Sequence, residues 1–334
     1  MALTAKVKKT INTALQIIIA LLSVWFIYRQ IDNPQVYLSF VITLGKNYNT
    51  ETFILLMAIS LLLMPVNWLL EAYKWKALIG YSENISASQA FKSVLSGITF
   101  SLFTPNRTGD FVGRLLTLPH SNRITGAMLT LTGSIAQLIT TLFMGLIALC
   151  FFIPQYFNLS QPLFVTGYAF VVICSVVICF LLIFIFLRIP YFSGITYSSR
   201  RPFWRKLYEN LHIMALVERK TLITTLTLSF LRYLIFSAQF YLLLVAFGFS
   251  IPLSDAFVLI AMTYFTMAAI PTIALVDLGI RGSVSLFFFG MYSTYPGASM
   301  SVLAATTSIW VINLALPAIA GLFFIYRLKL IRKV

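Results

Sequence analysis

The sequence predicts an all-α integral membrane protein with six full transmembrane helices and two re-entrant broken-helix hairpins, arranged as an inverted repeat. Three observations carry this expectation: the apolar composition, six long apolar segments, and two apolar segments broken by Pro, Gly and charge. Of 334 residues, 60% are hydrophobic and 10% are charged, and mean hydropathy is +0.92. A soluble domain keeps about a quarter of its residues charged. Here there is too little charge to cover a water-exposed surface, so lipid must act as solvent.

Six segments are long enough to cross about 30 Å of hydrocarbon, which takes roughly 20 residues. They are 11–30, 52–79, 124–153, 163–188, 220–248 and 300–326. The first follows Lys6, Lys8 and Lys9, as a signal peptide would. No small-residue cleavage site follows it, so a retained span is expected. Residues 87–118 hold an apolar run to Phe103, a break through Thr104, Pro105, Asn106, Arg107, Thr108, Gly109 and Asp110, and a second run to Leu118. Residues 254–293 run to Ile270, break from Pro271 through Gly279 to Arg281, and resume from Ser283. Each arm is too short to span comfortably, which is how a re-entrant pair of half-helices reads.

The basic residues agree with this count. With the N-terminus inside, seventeen Lys and Arg fall on the cytoplasmic side, Lys74 and Lys76 among them, and two, Arg29 and Lys46, fall outside. That asymmetry is the positive-inside pattern. It places both termini in the cytoplasm of a cell with a plasma (inner) membrane. It also explains most of the net charge of +15, so nucleic acid is not an expected partner. The loop 188–220, with Arg200, Arg201, Arg205, Lys206, Phe203 and Trp204, reads as an interfacial or topogenic segment.

An internal repeat orders the elements. Ile85 to Phe91 (ISASQAF) matches Ile251 to Phe257 (IPLSDAF) at four of seven positions, at an offset of 166, which also brings Pro105 onto Pro271. Residues 1–334 form one membrane domain: 1–51 hold the first span and outer loop, 52–153 the first repeat half, 154–219 a connecting span and basic loop, and 220–334 the second half. Span 52–79 ends inside and span 220–248 ends outside, so the halves run in opposite directions. Secondary transporters use this plan, with broken helices meeting around the substrate.

The chemistry lies in the charges at membrane depth. Arg107, Asp110 and Arg114 are spaced i, i+3, i+7 and share one helical face, and Asp277 and Arg281 are spaced i, i+4. Each charge at mid-bilayer costs about 2.5–3.5 kcal/mol on insertion scales, so pairing or water must offset it. One reading is a set of structural Arg–Asp pairs that lock each hairpin. The other leaves Arg107, Arg114 and Arg281 partly free for an anion, whose phosphate the planar guanidinium fork suits. Half-helix N-termini near Thr108 and Leu278 would add N–H donors. Thr104 and Thr272 read as caps, and Asn106 as cap or ligand. Glu71 and Arg232 occupy corresponding spans and would gate or couple. The alternatives are an interfacial Glu71 paired with Lys74 or Lys76, and an Arg232 set against Asp277.

Cys150, Cys174 and Cys179 lie inside apolar spans and read as packing residues, and His120 and His212 are far apart, so no metal or cofactor is expected. Neither a nucleophile elbow nor a zinc-protease, P-loop or dinucleotide motif occurs. The lack of a nucleotide domain speaks against a primary pump.

The stretch TPNRTGDFVGR, from Thr104 to Arg114, resembles the first signature of the lysylphosphatidylglycerol synthase transmembrane family, also called the flippase-like domain family: a Pro, then Gly-acid, then Arg. Pro271 through Leu278, Gly279, Ile280 and Arg281 resembles the second. The resemblance covers nearly the whole chain. It departs at Gly282, where an acid usually follows the Arg, and at Val276-Asp277, which replace a Gly pair; Asp277 would supply the displaced carboxylate. The resemblance implies a domain that moves or handles phospholipid or polyprenyl-phosphate lipids. With no aminoacyl-transferase domain before Val334, translocation without lipid aminoacylation is the expectation. The expected site is Asn106, Arg107, Asp110, Arg114, Asp277 and Arg281, with Glu71 and Arg232 gating and the breaks at Pro105, Gly109, Pro271 and Gly279. The expected partner is an anionic lipid, and a homo-oligomer is admitted. Two alternatives stay open. One is an intramembrane transferase with Glu71, Asp110 or Asp277 as base. The other is a non-transporting envelope scaffold.

Overall fold

A computed structural model describes residues 50–102, 104, 108–116, 123–158, 160–194, 202–270, 274–293, 295 and 297–326. The expected span 11–30 lies outside the described residues, as do Pro105, Asn106, Arg107, Pro271 and Thr272. Among the described residues the protein is helical and has no strand. The helices are α1 (Thr50–Ile79), α2 (Ala87–Leu102), α3 (Gly109–Leu116), α4 (Arg123–Tyr156), α5 (Pro162–Arg188), α6 (Pro202–Ala215), α7 (Arg219–Ala246), α8 (Leu253–Ala269), α9 (Ala274–Tyr292), α10 (Ala298–Trp310) and α11 (Leu316–Tyr326). A 3₁₀ turn, Ile189–Gly194, follows α5, and a π-helical turn, Val311–Ala315, joins α10 to α11.

Five segments among the described residues are long and apolar enough to cross a membrane: Thr50–Ile79, Ile124–Tyr156, Phe164–Tyr191, Arg219–Ala246 and Ala298–Phe324. They fall on five of the six expected spans. Their apolar side chains point outward as well as inward: Leu62 on α1, Phe170 and Phe180 on α5 and Phe323 on α11 are all exposed. In water this would be unstable, and in lipid it is the ordinary surface of a membrane protein.

Both interrupted regions are broken helices. The first is α2 and α3, packed tightly on each other. A reciprocal capping box starts α2: the Ser86 N–H donates to Gln89 Oε1 at 2.9 Å, and the Gln89 N–H donates to Ser86 Oγ at 3.2 Å. The expected cap at Thr104 is present, its hydroxyl accepting the Gly109 N–H at 2.6 Å. Gly109 and Gly113, four residues apart, let the α3 backbone lie directly on α2. A Cβ at Gly109 would strike the Phe100 carbonyl, and one at Gly113 the backbone of Ser96 and Gly97. This is the small-residue contact by which membrane helices approach closely.

The second broken region is α8 and α9. Here the structure corrects one expectation. The half-helix begins at Ala274, four residues before Leu278, because Ala274, Leu275 and Val276 carry no Pro or Gly and the helix runs on through Gly279; Asp277 then sits in the first turn, where a carboxylate suits the helix dipole. The span expected at 300–326 is present as Ala298–Phe324. Its middle turn is π-helical and carries Asn313.

The packing crosses between the two regions. Helix α1 lies against α7, α2 against α11, and α8 against α4. Two apolar cores result. One gathers Trp75, Leu78, Ile79, Val94 and Leu314 around α1 and α2. The other gathers Phe240, Phe249, Leu259, Phe289 and Ile309 around α7 to α10. Between them lies the charged site.

Candidate functional site

Glu71, one carboxylate on α1, collects three cations. Lys74 Nζ lies 2.7 Å from Oε2, and Arg114 Nη2 of α3 lies 2.9 Å from Oε1. Arg232 Nη1 of α7 also pairs with Oε2. Arg114 pairs in addition with Asp110, one turn earlier, at 2.8 Å. Glu71, Lys74, Arg114 and Arg232 are all buried. Holding charges there costs several kcal/mol per ion unless geometry and hydrogen bonds compensate.

The compensation is extensive. Lys74 Nζ donates to the Gly133 carbonyl at 3.3 Å and to Ser229 Oγ at 3.4 Å. Arg232 Nε donates to Asn67 Oδ1 at 3.0 Å, and its Nη1 to Gln137 Oε1 at 3.2 Å. A chain of amides continues the network. Asn67 Nδ2 donates to Asn313 Oδ1 at 3.3 Å, Asn313 Nδ2 to Gln239 Oε1 at 3.1 Å, and Gln239 Nε2 to the Ser60 carbonyl at 2.8 Å. Aromatic faces cover the guanidiniums: Arg114 lies 5.5 Å from the Trp75 ring centre, and Arg232 5.1 Å from that of Trp68. Trp75 Nε1 donates to Ser93 Oγ, which donates to the Arg114 carbonyl, so α1, α2 and α3 are tied at one point.

These groups line a cavity of about 780 Å³, within the usual size of a small-ligand site. Its described wall carries Lys74, Arg114, Arg232 and Arg281 against Glu71, Asp110 and Asp277, with Trp68, Tyr233, Tyr264, Trp310 and Asn313. Arg281 Nη2 pairs with Asp277 at 3.2 Å, as the spacing predicts. The four cations are not equally accessible. Side-chain exposure is 1% for Lys74, 7% for Arg114, 8% for Arg232 and 16% for Arg281.

The structure therefore brings Asp110, Arg114, Asp277, Arg281, Glu71 and Arg232 to one cavity. Gly109 serves the α2–α3 contact, and Gly279 lies within α9 and not at its start. Four expectations change. Lys74, set on the cytoplasmic side, is buried, because Glu71 one turn before it and the Gly133 carbonyl satisfy the ammonium. Glu71 is accordingly a buried carboxylate and not an interfacial one, though its expected pairing with Lys74 is present. Arg232, set against Asp277, pairs with Glu71 and Asn67. Arg114, partly free in one of its two readings, is bound by two carboxylates, Asp110 as the other reading expects and Glu71 besides. The sequence reading also passed over Asn67, Gln137, Gln239 and Asn313. A signal was present: each is a side-chain amide inside a long apolar span, where polar groups turn to the bundle interior. Among the described residues no cluster of His, Cys, Asp and Glu is suited to a metal ion.

Fold and site together define a polytopic helical membrane protein with a charged interior cavity. The chain belongs to the family described as the lysylphosphatidylglycerol synthase TM region, whose model matches residues 13–321. Membership ties it to membrane-lipid metabolism or envelope function. No individual curated protein matches the chain.

Proposed function

We propose that the protein is a flippase-like lipid translocase that seats the phosphate of an anionic lipid headgroup in the cavity. The observation that carries this reading is the cavity wall, where four cations face three carboxylates within a structure whose outer surface is apolar. Arg281 is the first contact, being the most exposed of the four and held by a single ion pair among those described. Arg114 and Arg232 stand behind it on Glu71, which gates access to them. Asp110 and Asp277 orient the guanidiniums.

In this reading α2–α3 and α8–α9 are re-entrant hairpins in a plasma (inner) membrane, both termini are cytoplasmic, and the halves are an inverted repeat. The crossed packing supports it, since exchanging the halves exchanges the α2–α11 contact for the α8–α4 contact. The detail agrees. Gly321 of α11 admits Thr99 of α2, and Gly145 of α4 admits Phe265 of α8, which lies 166 residues after Thr99.

The test is movement of fluorescent phosphatidylglycerol across reconstituted vesicles. Arg281→Gln should lose movement, and Arg281→Lys should rescue it poorly, since it keeps the charge without the fork. The exposed Lys220→Gln should retain movement. If Arg281→Gln folds and moves lipid like the parent, the assignment fails and the scaffold reading gains. Turnover of a lipid-linked donor by the purified protein would favour the transferase.

A further inference from the structure

We propose that the phosphate of the anionic headgroup docks against Arg281 in the place that Glu71 takes against Arg114 in the other half, beside Ser237 and Tyr233 of α7. The proposal rests on the anionic-lipid and inverted-repeat readings above and gives the ligand a position within the cavity.

The two halves can be matched residue by residue. Helices α2 and α8 begin at Ala87 and Leu253, 166 residues apart. At the same offset Asn67, Glu71, Lys74 and Leu78 of α1 fall on Tyr233, Ser237, Phe240 and Leu244 of α7, and all eight are buried. Positions that recur three and four residues apart form one stripe on each helix, so the same face is turned inward in both halves. After the prolines the second half carries one residue more, so Asp110 and Arg114 fall on Asp277 and Arg281 at an offset of 167. Both ion pairs are formed.

The halves differ in the third member. Arg114 reaches a second carboxylate, Glu71 on α1. The residue that matches Glu71 is Ser237, which brings no charge to Arg281. Arg114 Nε donates to Asp110 Oδ1 at 2.8 Å. The buried Nε of Arg281 has no hydrogen-bond partner among the described residues, where Asp277 is the one carboxylate paired with this guanidinium. Buried donors are normally satisfied. Tyr233, which matches Asn67, lines the same cavity, and among the described residues none beyond Ser237 answers its hydroxyl. Tyr264 of α8 links the two: its ring centre lies 6.0 Å from that of Tyr233, edge to face, and it is near enough to Arg281 to interact electrostatically. A phosphate seated here takes the Arg281 fork as Glu71 takes that of Arg114, and adds an acceptor for the Tyr233 hydroxyl.

The experiment titrates the full chain in phosphatidylcholine nanodiscs with phosphatidylglycerol and reads tryptophan fluorescence, since Trp68 and Trp310 line the cavity. Thermal unfolding checks that each variant is folded. Ser237→Glu, which copies Glu71, sets a carboxylate at Arg281 and should weaken binding at least about tenfold relative to Ser237→Gln, its uncharged match in size. Tyr233→Phe, which removes only a hydroxyl, should weaken binding about tenfold, and it decides the matter if the glutamate variant does not fold. Equal binding by the two Ser237 variants, or unchanged binding by Tyr233→Phe, overturns this docking position, while loss of binding in Arg281→Gln keeps the lipid reading. No phosphatidylglycerol binding by the parent overturns the anionic-lipid reading, and this proposal with it. Inorganic phosphate should give no comparable signal; a response to it and not to phosphatidylglycerol overturns the lipid as the source of the anion.

Discussion

Glu71 of α1 and Arg114 of α3 lie 43 residues apart in sequence and meet at 2.9 Å in the interior. This pair joins α3 to α1, and the Arg232 pair on the same carboxylate extends the joint to α7. Removing the shared carboxylate leaves buried cations without their common acceptor. Glu71→Gln should therefore destabilise the fold by about 3–5 kcal/mol. Thermal unfolding in detergent, monitored by helix content, measures the loss. An unchanged melting temperature would mean that the knot is not structural.

The α2–α3 joint depends on Gly113. A methyl group there meets the backbone of Ser96 and Gly97, which cannot yield like a flexible side chain. Gly113→Ala should cost about 1–3 kcal/mol. Gly290→Ala is the matched control, because nothing lies within 4 Å of the added carbon. It should be neutral or stabilise by up to about 1 kcal/mol.

Asn313 holds the amide chain between Asn67 and Gln239. Asn313→Leu leaves both neighbouring amides short of a partner and should cost about 1–2 kcal/mol. The double variant Asn313→Leu, Asn67→Leu should cost less than the sum of the singles, because the two amides share one hydrogen bond. Additive losses would show that the chain is not coupled.

The proposed orientation is open to labelling. Cysteines at Lys46 and Gln161 should react with an impermeant reagent from outside, and cysteines at Lys220 and Lys333 only after permeabilisation. External labelling at Lys333 would contradict the arrangement of six spans and two hairpins.

Much of the helical plan was legible because lipid makes the pattern coarse. Long apolar runs mark spans, and Pro, Gly and charge mark the breaks that Leu102 and Ala269 precede. The Asp110–Arg114 and Asp277–Arg281 pairs follow from i, i+4 spacing alone. The Glu71 knot was less legible. Its members come from three helices, and one-dimensional spacing cannot say which buried cations converge on one carboxylate. Lys74 misled for a related reason: near the end of a span, positive-inside statistics favour an aqueous lysine, and only the Gly133 carbonyl of α4 and the Ser229 hydroxyl of α7 show that it is enclosed. The π turn at Asn313 leaves no mark in hydropathy, since its five residues are as apolar as their flanks.

The claim that the cavity holds an anionic headgroup is tested most directly by native mass spectrometry of the protein with its co-purified lipid. The parent should retain phosphatidylglycerol or a polyprenyl phosphate in preference to phosphatidylethanolamine, Lys220→Gln should retain the same lipid, and Arg281→Gln at matched stability should lose it. Equal retention of anionic lipid by the parent and Arg281→Gln would contradict the account.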